Sequence, residues 1–317
     1  MENSVAIPVT PSLLHNNLSA SDQRLAYVTN ATTPNPQIHL ISLQSITSPE
    51  ASVFSTVKYN DANTILYMGY VRLGQRYFLL LGLEQNMQIW SEDGNSMLAY
   101  FNKGELAGAG ADTYFTGGYG CEDLSCILIG SSLGTITLMR VSEEGHTIKI
   151  DPQSTISPVR RAPISAIVSL GVKALTCDEL GGVTFWDLRA NNTIRILETE
   201  GAGVSGTGAC MVYRYACVSF GNGEIRIYDM NTHTIAFSVW SHTRWITGLA
   251  SYPERGIFAS CSEDCCVNVW TLQRDELELV LSKEIPNTLL TGIAMCRDKL
   301  VAVGYDKARL FIIETIT

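Results

Sequence analysis

Seven short runs recur along the chain, each alternating apolar and polar residues and each ending on a large side chain: Ile41, Trp90, Met139, Trp186, Tyr228, Trp270 and Phe311. Successive end points are 49, 49, 47, 42, 42 and 41 residues apart. Alternation at period two marks a strand with one buried face. A lone unit of this size cannot cover that face, so regular recurrence means that neighbouring units cover one another. The unit is clearest over 242–272. A polar turn leads into Ile246, Gly248 and Ala250, and a proline turn at Tyr252 to Gly256 leads into Ile257 to Ala259. The acidic turn Glu263-Asp264 then leads into Val267, Val269 and Trp270. Three strands in ~30 residues leave room for a fourth, and a repeat of about 40–45 residues with four short strands is a propeller blade.

The fourth, outer strand of each unit is expected after the large residue. Alternating stretches stand there at 53–59, 97–101, 147–150, 194–198, 234–239 and 277–281. The last unit has only six residues after Phe311. The run 4–9 precedes the first unit's own strands and is expected to supply the missing strand, closing the ring and leaving no open sheet edge. The expected architecture is all-β: a single seven-bladed propeller over 1–317. Leu277, Leu279 and Leu281 alternate with Glu276, Glu278 and Val280, which favours a strand over a helix there. The turn-rich stretches 29–37 and 104–112 read as surface loops.

Composition narrows the function. With 46% apolar and 17% charged residues the chain is globular, and 34.7 kDa is enough to bury a sizeable core. The longest apolar run, 77–83, is too short to span a bilayer, and the first residues lack the basic-then-apolar pattern of a secretory leader. Most of the nine cysteines fall in apolar strand-like runs, which predicts reduced core residues in a cytoplasmic protein. A net charge of −9 argues against nucleic acid and against an anionic membrane as partner.

The unit resembles the repeat of the WD-repeat family. Trp186-Asp187 reads as its WD dipeptide, and Ser241-His242 stands where that family usually has Gly-His. The resemblance implies a hydrogen-bonded structural set of His242, Ser260, Asp264 and Trp270 pinning one blade. Other blades depart from it. Thr176 fits the hydroxyl position of the Trp186 blade, but Leu180 and Pro158 replace the Asp and the His. The Tyr228 blade has Asn222 in the turn and no His. Trp186-Asp187-Leu188-Arg189 also matches the motif by which some family members dock on the cullin-4 ligase adaptor, with Trp186, Asp187 and Arg189 as docking residues. Val159-Arg160-Arg161-Ala162 resembles the Phe-Arg-Arg-Gly of phosphoinositide-binding propellers only in its arginines. The runs 7–19, 220–229, 259–272 and 303–311 resemble one particular branch of the family, notably at Asn16-Asn17-Leu18-Ser19 and Gly304-Tyr305-Asp306. That resemblance implies a protein-association scaffold and no reaction.

No motif points to catalysis, a cofactor or a metal. Gly201, Gly203 and Gly206 match the dinucleotide fingerprint, but strand-like sequence follows, where a helix N-terminus must face the pyrophosphate. Cys261, Cys265 and Cys266 form one cluster where zinc sites need two separated pairs. None of the five histidines lies in a catalytic motif.

The expected function is therefore a non-enzymatic scaffold that binds a protein or peptide on one face. The alternatives are a substrate receptor of a cullin-4-type ligase and, in another class, an enzyme with its site in the central channel. The binding face is expected to carry the loops that lead into the innermost strands. Alignment of the units places Tyr114, Arg160, Arg161, Arg244 and Trp245 there. Two exposed aromatics and three arginines on an acidic protein suit an acidic peptide or a phosphorylated segment.

Overall fold

The computed structural model describes residues 4–30, 35–44, 54–57, 62–106, 108–144, 147–156, 161–197, 204–273, 275–296 and 299–313. They form seven four-stranded antiparallel sheets arranged as the blades of a propeller. From the inner to the outer strand, blade I runs Ser19–Ala20, Arg24–Thr29, Gln37–Ser42 and Phe54–Thr56. Blade II runs Ile65–Leu73, Arg76–Leu83, Asn86–Ser91 and Met97–Asn102. Blade III runs Phe115–Cys121, Cys126–Ser131, Ile136–Glu144 and Thr147–Ile156. Blade IV runs Ile164–Leu170, Lys173–Asp178, Val183–Asp187 and Asn192–Leu197. Blade V runs Gly206–Val212, Tyr215–Phe220, Glu224–Asp229 and Thr234–Trp240. Blade VI runs Ile246–Tyr252, Ile257–Ser262, Cys266–Gln273 and Glu276–Glu284. Blade VII runs Leu290–Cys296, Lys299–Gly304 and Arg309–Ile313, with Ser4–Ala6 as its outer strand.

The ring closes as the spacing predicts. Ser4, Val5 and Ala6 pair antiparallel with Phe311, Leu310 and Arg309. The pairing is shorter than the run 4–9, because after Ile7, whose N–H donates to Ala308 O, the chain turns away toward blade I.

The residues that end the seven runs have a local reason for being large. In blades II to VI the ladder between the third and fourth strands slips at that residue: Trp90, Met139, Trp186, Tyr228 and Trp270. Such a bulge adds twist to the outer strand, and the large side chain packs into the cluster shared with the preceding blade. A second slip recurs at the start of the innermost strand in blades II to VII, for example between Ile246 and Gly248.

The core follows from this layout. It consists of clusters between adjacent blades, such as Cys210, Val212, Ile225 and Ile227 of blade V against Ile246, Phe258 and Trp270 of blade VI. Closure makes the same kind of cluster between blades VII and I, where Leu310 and Ile312 meet Leu25, Tyr27 and Ile41.

Candidate partner-binding site

In blade VI, the side chains of His242, Asp264, Ser260, Ser241 and Trp270 form one hydrogen-bonded set. His242 Nδ1 lies 3.1 Å from both Asp264 oxygens, and its Nε2 lies 2.8 Å from Ser260 Oγ. The indole of Trp270 does not reach Ser260. Its Nε1 donates to Ser241 Oγ at 3.2 Å, and Ser241 Oγ lies 3.2 Å from Ser260 Oγ. Ser241, at the position where the family usually has glycine, is thus a relay that the four-residue expectation lacks. Asp264 also accepts from the backbone N–H groups of Thr243 and Cys266. Burial pushes its carboxyl up, but these donors and His242 outweigh burial and hold it at about 2.

The other blades solve the same turn differently. In blade IV, Trp186 Nε1 donates to Thr176 Oγ1 at 2.9 Å. Asp178, two residues before the exposed Leu180, accepts the N–H groups of Leu180 and Gly182. In blade V, Asn222 accepts from Glu224 N–H. Pro158 lies outside the described residues.

The segment between the closing strand and blade I crosses one face of the ring, and sequence reasoning missed its role. Asn17 is fully buried: its Nδ2 donates to the Ser12 and Val28 carbonyls at 2.9 and 3.0 Å, and its Oδ1 accepts from Val28 N–H at 2.7 Å. Asn17 N–H donates to Thr291 O in blade VII, and Asn16 N–H to Thr247 O in blade VI. Asn16 Nδ2 reaches Thr207 O in blade V at 3.3 Å. Gly292 lets the segment pass, since a Cβ there would stand 2.6 Å from Leu18 N. The one cue in sequence is the unusual Asn16-Asn17-Leu18-Ser19 run, and it does not show where the amides point.

Beside this strap opens a channel mouth of about 490 Å³. Leu13, Leu14, His15 and Asn16 of the strap line it together with Tyr67 and Leu66 of blade II, Tyr114 and Thr116 of blade III, Ile164 and Glu179 of blade IV, and Trp245. This is the face of the loops that lead into the innermost strands. Of the five residues expected there, Tyr114 and Trp245 line the mouth. Neither is a free aromatic. Trp245 is half-buried, its six-membered ring filling the space a Cβ on Gly221 would need, and the His15 ring lies 5.6 Å from it. Tyr114 is also half-buried, with its hydroxyl 3.4 Å from Glu179 Oε1. Arg244 and Arg161 are exposed but outside the lining, and Arg244 is paired with Glu263 at 3.3 Å. Arg160 lies outside the described residues.

Two polar atoms at the mouth lack partners. Trp245 Nε1 and Thr116 Oγ1 are both shielded from water and without a hydrogen bond. Leaving such a group unpaired costs about 1–3 kcal/mol. Leu13 is 58% exposed, a large apolar side chain presented at the rim.

The remaining candidates are dispersed. Trp186 is buried, Asp187 accepts the N–H groups of Arg189 and Ala190, and the Arg189 side chain is exposed. Cys261 is buried while Cys265 and Cys266 are partly exposed, and among the described residues no three metal-ligating side chains converge. Gly201 and Gly203 lie outside the described residues, and Gly206 opens a strand.

Seven four-stranded blades, the WD dipeptide and the His–Asp–Ser set define a WD-repeat propeller. The WDR54 family model matches residues 2–312, and the chain belongs to the WDR54 family. WD repeat-containing protein 54 of Mus musculus is 22% identical over 257 residues, covering 76% of this chain and 75% of its own length. WD repeat domain 54 of Rattus norvegicus is 23% identical over 251 residues, covering 74% of each chain. Among solved structures, that of the RRP9 WD40 repeats superposes with a TM-score of 0.78 at 13% identity, over 99% of this chain and 98% of that one. At that identity the likeness concerns the fold alone.

Proposed function

We propose that the chain is a non-catalytic scaffold that binds a segment of a partner protein at the mouth beside the strap. WD-repeat propellers in general bind proteins, and this chain belongs to one of their families. The observation that supports the location is the convergence of Leu13, Tyr67, Tyr114 and Trp245 around about 490 Å³, with two unpaired polar atoms among them. Mostly apolar concavities with a few placed polar groups are where ligands bind. The charge of the mouth does not favour an acidic or phosphorylated segment, because Arg244 is already paired and Glu179 is the charged residue of the lining. A cytoplasmic location belongs to this reading. Among the described residues no helix is long and apolar enough to cross a membrane.

The test uses two substitutions at the mouth that leave the core alone, Leu13→Asp and Tyr114→Ala. Partners cross-linked to the parent protein in cells should be lost from both variants, with melting temperatures within about 2 °C of the parent. Retention of all partners by both variants would move the binding site elsewhere.

A second reading keeps the ligase motif. Asp187 fixes the turn, and the exposed Arg189 side chain makes no ion pair among the described residues. Co-purification with the cullin-4 adaptor, abolished by Arg189→Ala, would support it. An enzymatic reading finds one carboxylate and one imidazole in the lining, on Glu179 and His15, with no hydrogen bond between them among the described residues.

A further inference from the structure

The mouth has a sign. Among the described residues that line it, Glu179 is the one with a formal charge at neutral pH. Its carboxylate is exposed, and its contact is the Tyr114 hydroxyl at 3.4 Å, a long hydrogen bond. The backbone beneath it is fixed on both sides: Glu179 N–H donates to Pro163 O, and Glu179 O accepts from Ser205 Oγ at 2.7 Å. An exposed carboxylate thus stands on a fixed backbone at an apolar, aromatic rim, with no cation against it among the described residues. His15 does not supply one. Desolvation of its ring lowers its pKa, against a raising influence from Glu263.

Resting on the reading of the mouth as the partner-binding site, we propose that it receives an arginine side chain of an extended partner segment, the guanidinium against Glu179 and Tyr114. Arginine fits each part of the lining. Its planar head has five N–H donors and pairs with a carboxylate in a fork. That head also stacks on aromatic faces, and Tyr114, Tyr67 and Trp245 supply rings here. Its aliphatic stem suits Leu13 and Ile164. An acidic side chain would meet Glu179 with no compensating cation. The net charge of −9 adds a long-range bias toward a basic partner.

The experiment selects peptides from a phage-displayed random dodecapeptide library on the immobilised full chain, in parallel with Glu179→Gln and Leu13→Arg. Thermal melts establish that all three are folded. The parent should enrich peptides with arginine at a shared position, and Glu179→Gln should not. A synthetic peptide of the enriched sequence should lose about tenfold or more in affinity on Glu179→Gln. Changing its arginine to lysine should weaken binding less than changing it to alanine. Glu179→Arg should reverse the preference toward an acidic residue at that position.

Enrichment without arginine, or undiminished by Glu179→Gln, overturns the arginine while leaving the mouth as the binding site, provided Leu13→Arg abolishes it. Enrichment unaffected by Leu13→Arg overturns the mouth itself. Absence of any enrichment on the folded parent counts against both.

Discussion

Ser241 changes what the indole of Trp270 does. With a glycine there, Trp270 Nε1 would have to reach the strand hydroxyl Ser260 directly. Here it stops at Ser241 Oγ, and Ser260 Oγ is left to the imidazole of His242. Asp264 anchors the far end by accepting from His242, Thr243 and Cys266. Asp264→Ala strips partners from a buried ring and two amides. It should cost about 1–3 kcal/mol and lower the melting temperature without selectively removing any partner. An unchanged melting temperature would mean that the set carries no stability. The pH dependence has a definite sign. The native carboxyl, at about 2, lies below its ordinary value near 4. The unfolded chain therefore binds the proton first, and stability from this group is full above pH ~4 and lost as pH falls toward 2. Asp264→Asn cannot titrate, so the stability gap between it and the parent should be widest at neutral pH and narrow between pH ~4 and ~2. Chemical denaturation across that range measures it, and a constant gap would contradict the assignment.

At the scale of the element, the closing strand and the strap behind it behave differently toward sequence reading. The closing strand was legible: the last repeat lacked an outer strand and the run 4–9 had no other use. It pairs over Ser4–Ala6 with Arg309–Phe311. Deleting residues 1–9 should expose the edge of blade VII and make the protein aggregate, because an unpaired strand edge templates pairing with other chains. Light scattering on the purified deletion checks this, and a monomeric product with the parent's thermal stability would refute it. The large residues at the ends of the runs were legible for a related reason. In blades II to VI they sit at the ladder slips that twist the outer strand, so the geometry recurs with the repeat there. The strap was not legible. Asn16 and Asn17 bond to Thr207, Thr247 and Thr291, which are 191, 231 and 274 residues away, and no local pattern encodes such reach. Trp245 was legible as a residue outside the core alternation, yet its cover was not, since Gly221 and His15 come from other parts of the chain.

For the whole molecule, the ring turns a local loop into a shared surface. Trp245 belongs by sequence to blade VI, rests on Gly221 of blade V and lies against His15 of the strap, so it couples three parts of the face. Arg244 beside it points elsewhere and pairs with Glu263 at the surface. These roles separate in a series of Arg244→Ala, Trp245→Ala and the double substitution. Arg244→Ala removes an exposed ion pair worth about 0–1 kcal/mol and should leave stability and binding near parental levels. Trp245→Ala empties a half-buried site between blade and strap, at about 2–3 kcal/mol. It also removes an aromatic anchor of the kind that dominates interfaces. Partner affinity, measured well below each variant's melting temperature, should fall with Trp245→Ala and little further in the double substitution. A double mutant that stays folded and keeps every partner at parental affinity would place binding on the opposite face or on the outer strands, where Trp240 stands 70% exposed.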